Sequence, residues 1–111
     1  MSDLKEKHCK PCEGGVCPIE RKEAESTLKE VAGWSLDADG KVIERTFTFK
    51  NYYQTVPFVN AVAWIAHRED HHPDISFGYK TCTVRYSTHA IGGLSENDFI
   101  CAARVNDLIG E

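Results

Sequence analysis

Residues 81–99, TCTVRYSTHAIGGLSENDF, change their periodicity part-way along, and that change sets the class of fold. Cys82, Val84 and Tyr86 alternate with Thr83, Arg85 and Ser87, the period of a strand with one buried face. Beyond Gly92 and Gly93, the run Leu94-Ser95-Glu96-Asn97-Asp98-Phe99 carries the marks of a helix start. Ser95 is placed to cap the first turn, Asp98 to close a capping box, and Leu94 to staple against Phe99. A half-buried strand that runs within a few residues into a capped helix predicts a sheet and a helix sharing one core.

Upstream the same two periods recur. Phe58, Val62 and Ile65 trace an apolar helical stripe that extends to about Glu69, with Asn51 as its cap. Pro57 falls early in this segment, so either the regular helix starts near Thr55 with the proline in its first turn, or the helix bends there. Ile43, Phe47 and Phe49 alternate with Glu44, Thr46 and Thr48 behind the turn cluster Asp37-Ala38-Asp39-Gly40, which reads as a hairpin joined to Trp34-Ser35-Leu36. Ile19, Ala24, Leu28 and Val31 recur at helical spacing over residues 19–32, with Gly33 as the C-terminal cap. The order helix, hairpin, helix, strand or hairpin, helix predicts an α+β single domain: an antiparallel four-stranded sheet with about three helices packed on one face. Residues 1–17 show neither period and are expected to form a flexible Cys-rich arm ahead of a domain spanning 18–111.

Composition narrows the function. The 111 residues, 41% hydrophobic and 27% charged, suit one globular core. A net charge of -4 and the lack of a Lys/Arg stripe argue against direct nucleic-acid binding. The opening MSDLKEKHCKPCEGG lacks the apolar centre of a signal peptide, and the apolar stretch around residues 58–66 is too short to span a bilayer. A cytoplasmic location without a membrane partner is expected. Five cysteines are an odd number, and Cys82 and Cys101 sit inside apolar patterns, so a disulfide framework is not expected. His8, Cys9, Cys12 and Cys17 could together offer zinc ligands, yet tight sites usually draw ligands from separate elements, which favours an unpaired arm.

The density of histidine stands out. Three of the five fall in His67-Arg68-Glu69-Asp70-His71-His72-Pro73, and His89 ends the strand that follows. Imidazole titrates near neutrality, so a pair can hold one acid and one base at the same pH, which suits a reaction that expels hydroxide and removes a proton. Pro73 disfavours helical geometry at His72, placing the helix end there and the pair at its C terminus, where the dipole favours imidazolium. Two other readings stand beside this one. His67 and His8 read equally as plain surface residues, and His67 with His71, at helical spacing, could hold a metal completed by His72 or His89.

The set of residues resembles the pattern of the pterin-4a-carbinolamine dehydratase family: His67, His71-His72-Pro73, Tyr79, His89 and Asp98 stand at that family's intervals. Phe47-Thr48-Phe49-Lys50, residues 58–63, Ser87-Thr88-His89, residues 93–98, Gly33-Trp34 and the Cys-x-x-Cys-x-Gly-Gly arm also look like family segments, so the resemblance covers roughly residues 19–109. His67 stands where Glu is commoner and is read as a modulator of the site rim; Pro57 interrupts a helix that is usually uninterrupted.

The resemblance implies a hydro-lyase that removes water from 4a-hydroxytetrahydropterin to give quinonoid dihydropterin, recycling the cofactor of aromatic amino acid hydroxylases. It implies that His71 and His89 exchange protons with the 4a hydroxyl and a ring nitrogen, while His72 holds and polarises the substrate. Asp70, Ser87 and Thr88 map onto positions that line the pterin, where strand-end backbone groups would read its amide-like edge. Asp98 joins the catalytic set by orienting a histidine, besides its role in the capping box. Tyr79 is open to stacking on a pterin or to plain packing. No metal or redox cofactor is implied; the partners implied are the pterin and, as a candidate, a pterin-dependent hydroxylase. The competing class is a non-catalytic binding module, since vertebrate relatives also act as dimerisation partners of a homeodomain transcription factor.

A four-stranded sheet must leave edges. Residues 81–88 carry Arg85 as their single charge and no proline, so at an edge they would lack protection and should pair with another copy. A closed homodimer or homotetramer is expected, as in members of the family.

Overall fold

The computed structural model describes residues 4–10 and 18–111. In chain order it contains α1 (Arg21–Leu28), β1 (Ser35–Leu36), β2 (Ile43–Thr48), α2 (Tyr52–Glu69), β3 (Asp74–Phe77), β4 (Thr81–Tyr86) and α3 (Glu96–Asp107), with single helical turns at Leu4–Glu6 and His89–Ile91. The α+β reading holds. All four strands join one antiparallel sheet in the order β1-β2-β4-β3.

Alternation selects the buried face. Cys82, Val84 and Tyr86 of β4 are buried and stand opposite Phe47, Arg45 and Ile43 of β2. Phe58 and Val62 of α2, Ala24 of α1, and Phe99, Ile100, Cys101, Ala102 and Val105 of α3 complete the core. The Phe58 ring lies 4.7 Å from Phe47 and 4.9 Å from Phe49, so the hairpin and α2 share one aromatic contact. Each fully buried side chain of this size contributes roughly 1.5–3 kcal/mol.

Several local expectations change. The first helix stops at Leu28, well short of residue 32, and Gly33 ends the turn that follows rather than the helix itself. Asn51 does cap α2, its Oδ1 accepting the Gln54 N–H at 3.1 Å, but the helix begins at Tyr52 and carries Pro57 in its interior. The proline deprives the Tyr53 carbonyl of its helical donor, a loss confined to the first turns of the helix.

The C terminus of α2 is set three residues before the position that Pro73 suggested. Asp70 adopts left-handed geometry (φ 52°, ψ 43°), and the His71 N–H donates to the Ala66 carbonyl at 3.1 Å, a Schellman-type ending. Asp is among the few residues that tolerate this conformation. His71 and His72 therefore leave the helix, and the helical spacing that would have aligned His67 with His71 on one face is lost.

The edge reading is also corrected. β4 lies between β2 and β3, paired on both sides, which explains why Thr81–Tyr86 needs no protective charges. The outer strands are the two-residue β1 and β3. Among the described residues no helix is long and apolar enough to cross a membrane.

Residues 4–10 lie against α3. Leu4 is buried in the core, Lys5 and Lys7 pair with Asp107 and Glu96 at 3.2 and 2.9 Å, and Arg104 Nη2 donates to the Lys7 carbonyl at 2.6 Å. Residues 11–17, and with them Cys12, Cys17 and the four-ligand zinc reading, lie outside the described residues.

At the other end of the sheet, buried Trp34 donates its Nε1–H to Asn106 Oδ1 at 2.9 Å, and Arg45 Nη1 donates to the same oxygen at 2.9 Å. Gly33 enables this junction: at φ +84° a Cβ would stand 2.6 Å from Arg45 Nε. Gly33→Ala should destabilise the fold by more than about 1 kcal/mol, while Gly78→Ala, with open space around it, should change little. Urea denaturation midpoints of the two variants check this; equal midpoints would contradict it.

Candidate functional site

One cavity of about 540 Å³ gathers the end of α2, the loop after β4, the first turn of α3 and the N-terminal segment. Asp70, His71 and His72 line it from the first of these, and Ser87, Thr88 and His89 from the second. Six of the seven residues assigned from sequence thus share one wall system. Asp98, the seventh, lies beneath it.

Asp98 is fully buried on the first turn of α3. Its Oδ2 accepts the Ser95 N–H at 2.9 Å, the capping bond expected from sequence, and the Thr88 hydroxyl at 2.8 Å. Thr88 spends its one hydroxyl proton there, so the Ser95 hydroxyl, 2.8 Å away, donates to Thr88. The other carboxylate oxygen, Oδ1, stands 2.6 Å from His71 Nε2. A carboxylate that already accepts two donors on Oδ2 fixes His71 as the Nε2–H tautomer and leaves Nδ1 as the nitrogen that can accept a proton. The imidazole is further held by stacking on Tyr86, with ring centroids 5.8 Å apart and planes 7° from parallel.

The remaining residues differ in what holds them. His72 and His89 are exposed at the cavity. The Thr88 amide donates to Gly93 O at 2.8 Å and its carbonyl accepts the Gly93 and Ile91 N–H groups, so its backbone is engaged internally; Ser87 carries no such bridge. His67 does not line the cavity, its ring lying 5.5 Å from Trp64, and exposed Tyr79 is likewise outside it. Among the described residues no three His, Cys, Asp or Glu side chains are grouped to hold a metal.

With this geometry in place, comparison with known proteins is decisive on ancestry. Residues 17–108 match the family model described as pterin 4 alpha carbinolamine dehydratase. The chain belongs to that family. A Nitrosomonas europaea protein provisionally named pterin-4-alpha-carbinolamine dehydratase is 66% identical over 97% of this chain and 95% of its own length. A Dechloromonas aromatica protein of the same provisional name is 51% identical over 96% and 94%. In fold, a crystal structure of a Brucella melitensis transcriptional coactivator/pterin dehydratase superposes with a TM-score of 0.80, at 28% identity, covering 84% of this chain and 99% of its own. A pterin dehydratase-like protein identified as a RuBisCO assembly factor in the alpha-carboxysome superposes at 0.62, with 26% identity over 71% and 92%.

In this member of the family the cavity has a wall that sequence reasoning missed. His8, Cys9 and Lys10 line it, together with Arg68, Glu69, Ala90 and Asn97. The segment is clamped from both sides: the Lys10 N–H donates to Asn97 Oδ1 at 3.0 Å, Asn97 Nδ2 donates back to the Lys10 carbonyl, and the Cys9 N–H donates to Glu69 Oε1 at 2.7 Å. Glu69 Oε2 meets His8 Nδ1 at 3.1 Å and Arg104 Nε at 3.8 Å. A glutamate in the last turn of an amphipathic helix reads from sequence as a solvated end, and only the arm packed on it makes it a buried anchor.

The Glu69 side chain is only 2% exposed. Burial alone would raise its pKa, but the Cys9 amide, His8 and Arg104 outweigh that and hold it below the ordinary glutamate value. A depressed folded-state pKa stabilises the docked arm above the unfolded value of about 4.3 and loses that contribution as pH falls through the lower folded value. Amide protection of residues 4–10, taken as the ratio of intrinsic to observed exchange rate, should therefore be high at neutral pH and fall below about pH 4; in Glu69→Gln it should be low throughout. Protection that persists in the variant would remove Glu69 as the anchor.

Proposed function

We propose that the chain is a 4a-hydroxytetrahydropterin dehydratase acting by histidine general acid–base catalysis. The observation that carries this is the 2.6 Å contact between His71 and fully buried Asp98, on the wall of a cavity that His72 and His89 share. Family membership supplies the substrate class. The reaction removes the hydroxyl of C4a with a proton from an acid and takes a ring-nitrogen proton with a base, so no atoms beyond one water leave. In the proposed arrangement His71, with Nδ1 free, and His89, from the loop after β4, divide these two transfers, and His72 polarises the substrate. Asp70 and Ser87 contact the ring system, while Thr88 acts on the site through Asp98. A pocket of about 540 Å³ lies within the range that binds small ligands and exceeds what a bare bicyclic ring fills.

The physiological setting we propose is recycling of the pterin of an aromatic amino acid hydroxylase, in the cytoplasm. A protein-binding role is the second reading, favoured by the assembly-factor and coactivator descriptions of the two fold neighbours. Retention of the whole histidine set supports the enzyme.

His71→Gln, which keeps an N–H donor for Asp98, and His89→Ala should each lower dehydration about 10²- to 10⁴-fold while far-UV circular dichroism stays native. Turnover near the wild-type rate in both would eliminate the acid–base pair and leave the binding role.

Assembly belongs to the same proposal. β3 leaves one edge unpaired, and exposed Phe77 lies 6.5 Å from Tyr52, with Tyr53 and Trp64 also exposed on α2. We propose that this apolar flank and the β3 edge join copies into a homodimer or homotetramer. Sedimentation equilibrium should report a multiple of 12.5 kDa that shifts toward monomer in Phe77→Asp. A wild-type mass of 12.5 kDa at every concentration would refute it.

A further inference from the structure

Cys101 sits at the centre of α3, fully buried, with its sulfur 3.6 Å from that of Cys9. The two are separated by 92 positions in sequence. No requirement of core packing brings a thiol of the N-terminal segment onto a thiol of the last helix, since either position would accept a small apolar side chain. Cys9 is only partly buried and lines the cavity, its sulfur 3.7 Å from the Asn97 carbonyl, so it is the more accessible of the two to a small molecule.

We propose that Cys9 and Cys101 are a reversible dithiol–disulfide pair whose oxidation ties residues 4–10 covalently across the wall of the cavity. The oxidant is a small-molecule disulfide. Cys9 sulfur, as thiolate, attacks one sulfur of the disulfide and expels one thiolate, forming a mixed disulfide at Cys9. Cys101 sulfur then attacks the Cys9 sulfur, the second small thiolate leaves, and the proton from Cys101 passes to it. Two protein thiols lose two electrons, and one small disulfide becomes two thiols.

The order of attack follows from the surroundings. Its contact with Cys9, together with burial, pushes the Cys101 thiol up, so that sulfur keeps its proton until an electrophilic partner stands against it. Cys9 is the entry point.

The bond would act on the site along two contacts. The Cys9 amide holds Glu69, which in turn meets His8, so a tethered Cys9 fixes that wall. On the other side, the Cys101 thiol lies beside the buried Tyr86 hydroxyl, and the Tyr86 ring stacks on His71. The thiol pair thus borders both the N-terminal wall and the support of the candidate base.

The test uses the full chain treated with excess oxidised glutathione at pH 8, followed by alkylation and mass spectrometry of a non-reduced digest. The proposal expects a peptide pair joined through Cys9 and Cys101, removed by dithiothreitol. It also expects amide exchange in residues 4–10 at least tenfold slower in the oxidised protein, because the new link closes a long loop. The joined pair should persist in the Cys12→Ser, Cys17→Ser double variant and vanish in Cys9→Ser, whose partly exposed position keeps folding intact. Joining of Cys9 to Cys12 or Cys17 instead, a glutathione adduct that stays on Cys9, or free thiols throughout would each overturn it.

Discussion

The carboxylate of Asp98 is the point on which the fold and the site both hang. It is fully buried, and it receives the first turn of its own helix through Ser95, the end of the central strand through Thr88, and the loop after the longest helix through His71. A buried charge of this kind is tolerated only when its lone pairs are met by donors, and removing one partner strands the others. The start of α3, the segment after β4 and the loop after α2 are therefore registered against one another by one side chain. His71, the proposed acid–base residue, is one of the three donors, so the geometry that satisfies the charge also fixes the imidazole.

The elements that carry a strict period were legible in the sequence. The alternation of Cys82, Val84 and Tyr86 and the capping run at Ser95 gave β4 and α3 at their observed starts, because both signals are local. The apolar stripe carried α2 to about Glu69, its observed end, but the device that stops it was misread: Asp70 in left-handed geometry ends the helix, three residues before Pro73. The position of β4 within the sheet was beyond local reading, since β3 is a four-residue strand with little alternation and is defined by its pairing.

The site was legible to the same degree. His71, His72 and His89 were marked by their density, and Asp98 by its capping role; the family pattern then joined them. The N-terminal wall was invisible, because its contacts are long-range single bonds: Cys9 to Glu69, Lys10 to Asn97, Arg104 to Lys7. Such contacts impose no period on either partner.

If the Asp98 carboxylate orients His71 for the proposed proton transfer, it holds the ring as the Nε2–H tautomer and leaves Nδ1 to accept a proton. Long-range proton–nitrogen NMR on ¹⁵N-histidine-labelled protein, at a pH where the ring is neutral, reads this directly. The account predicts that the His71 proton resides on Nε2. A proton on Nδ1 would contradict it, since the nitrogen assigned to accept a proton would then already carry one.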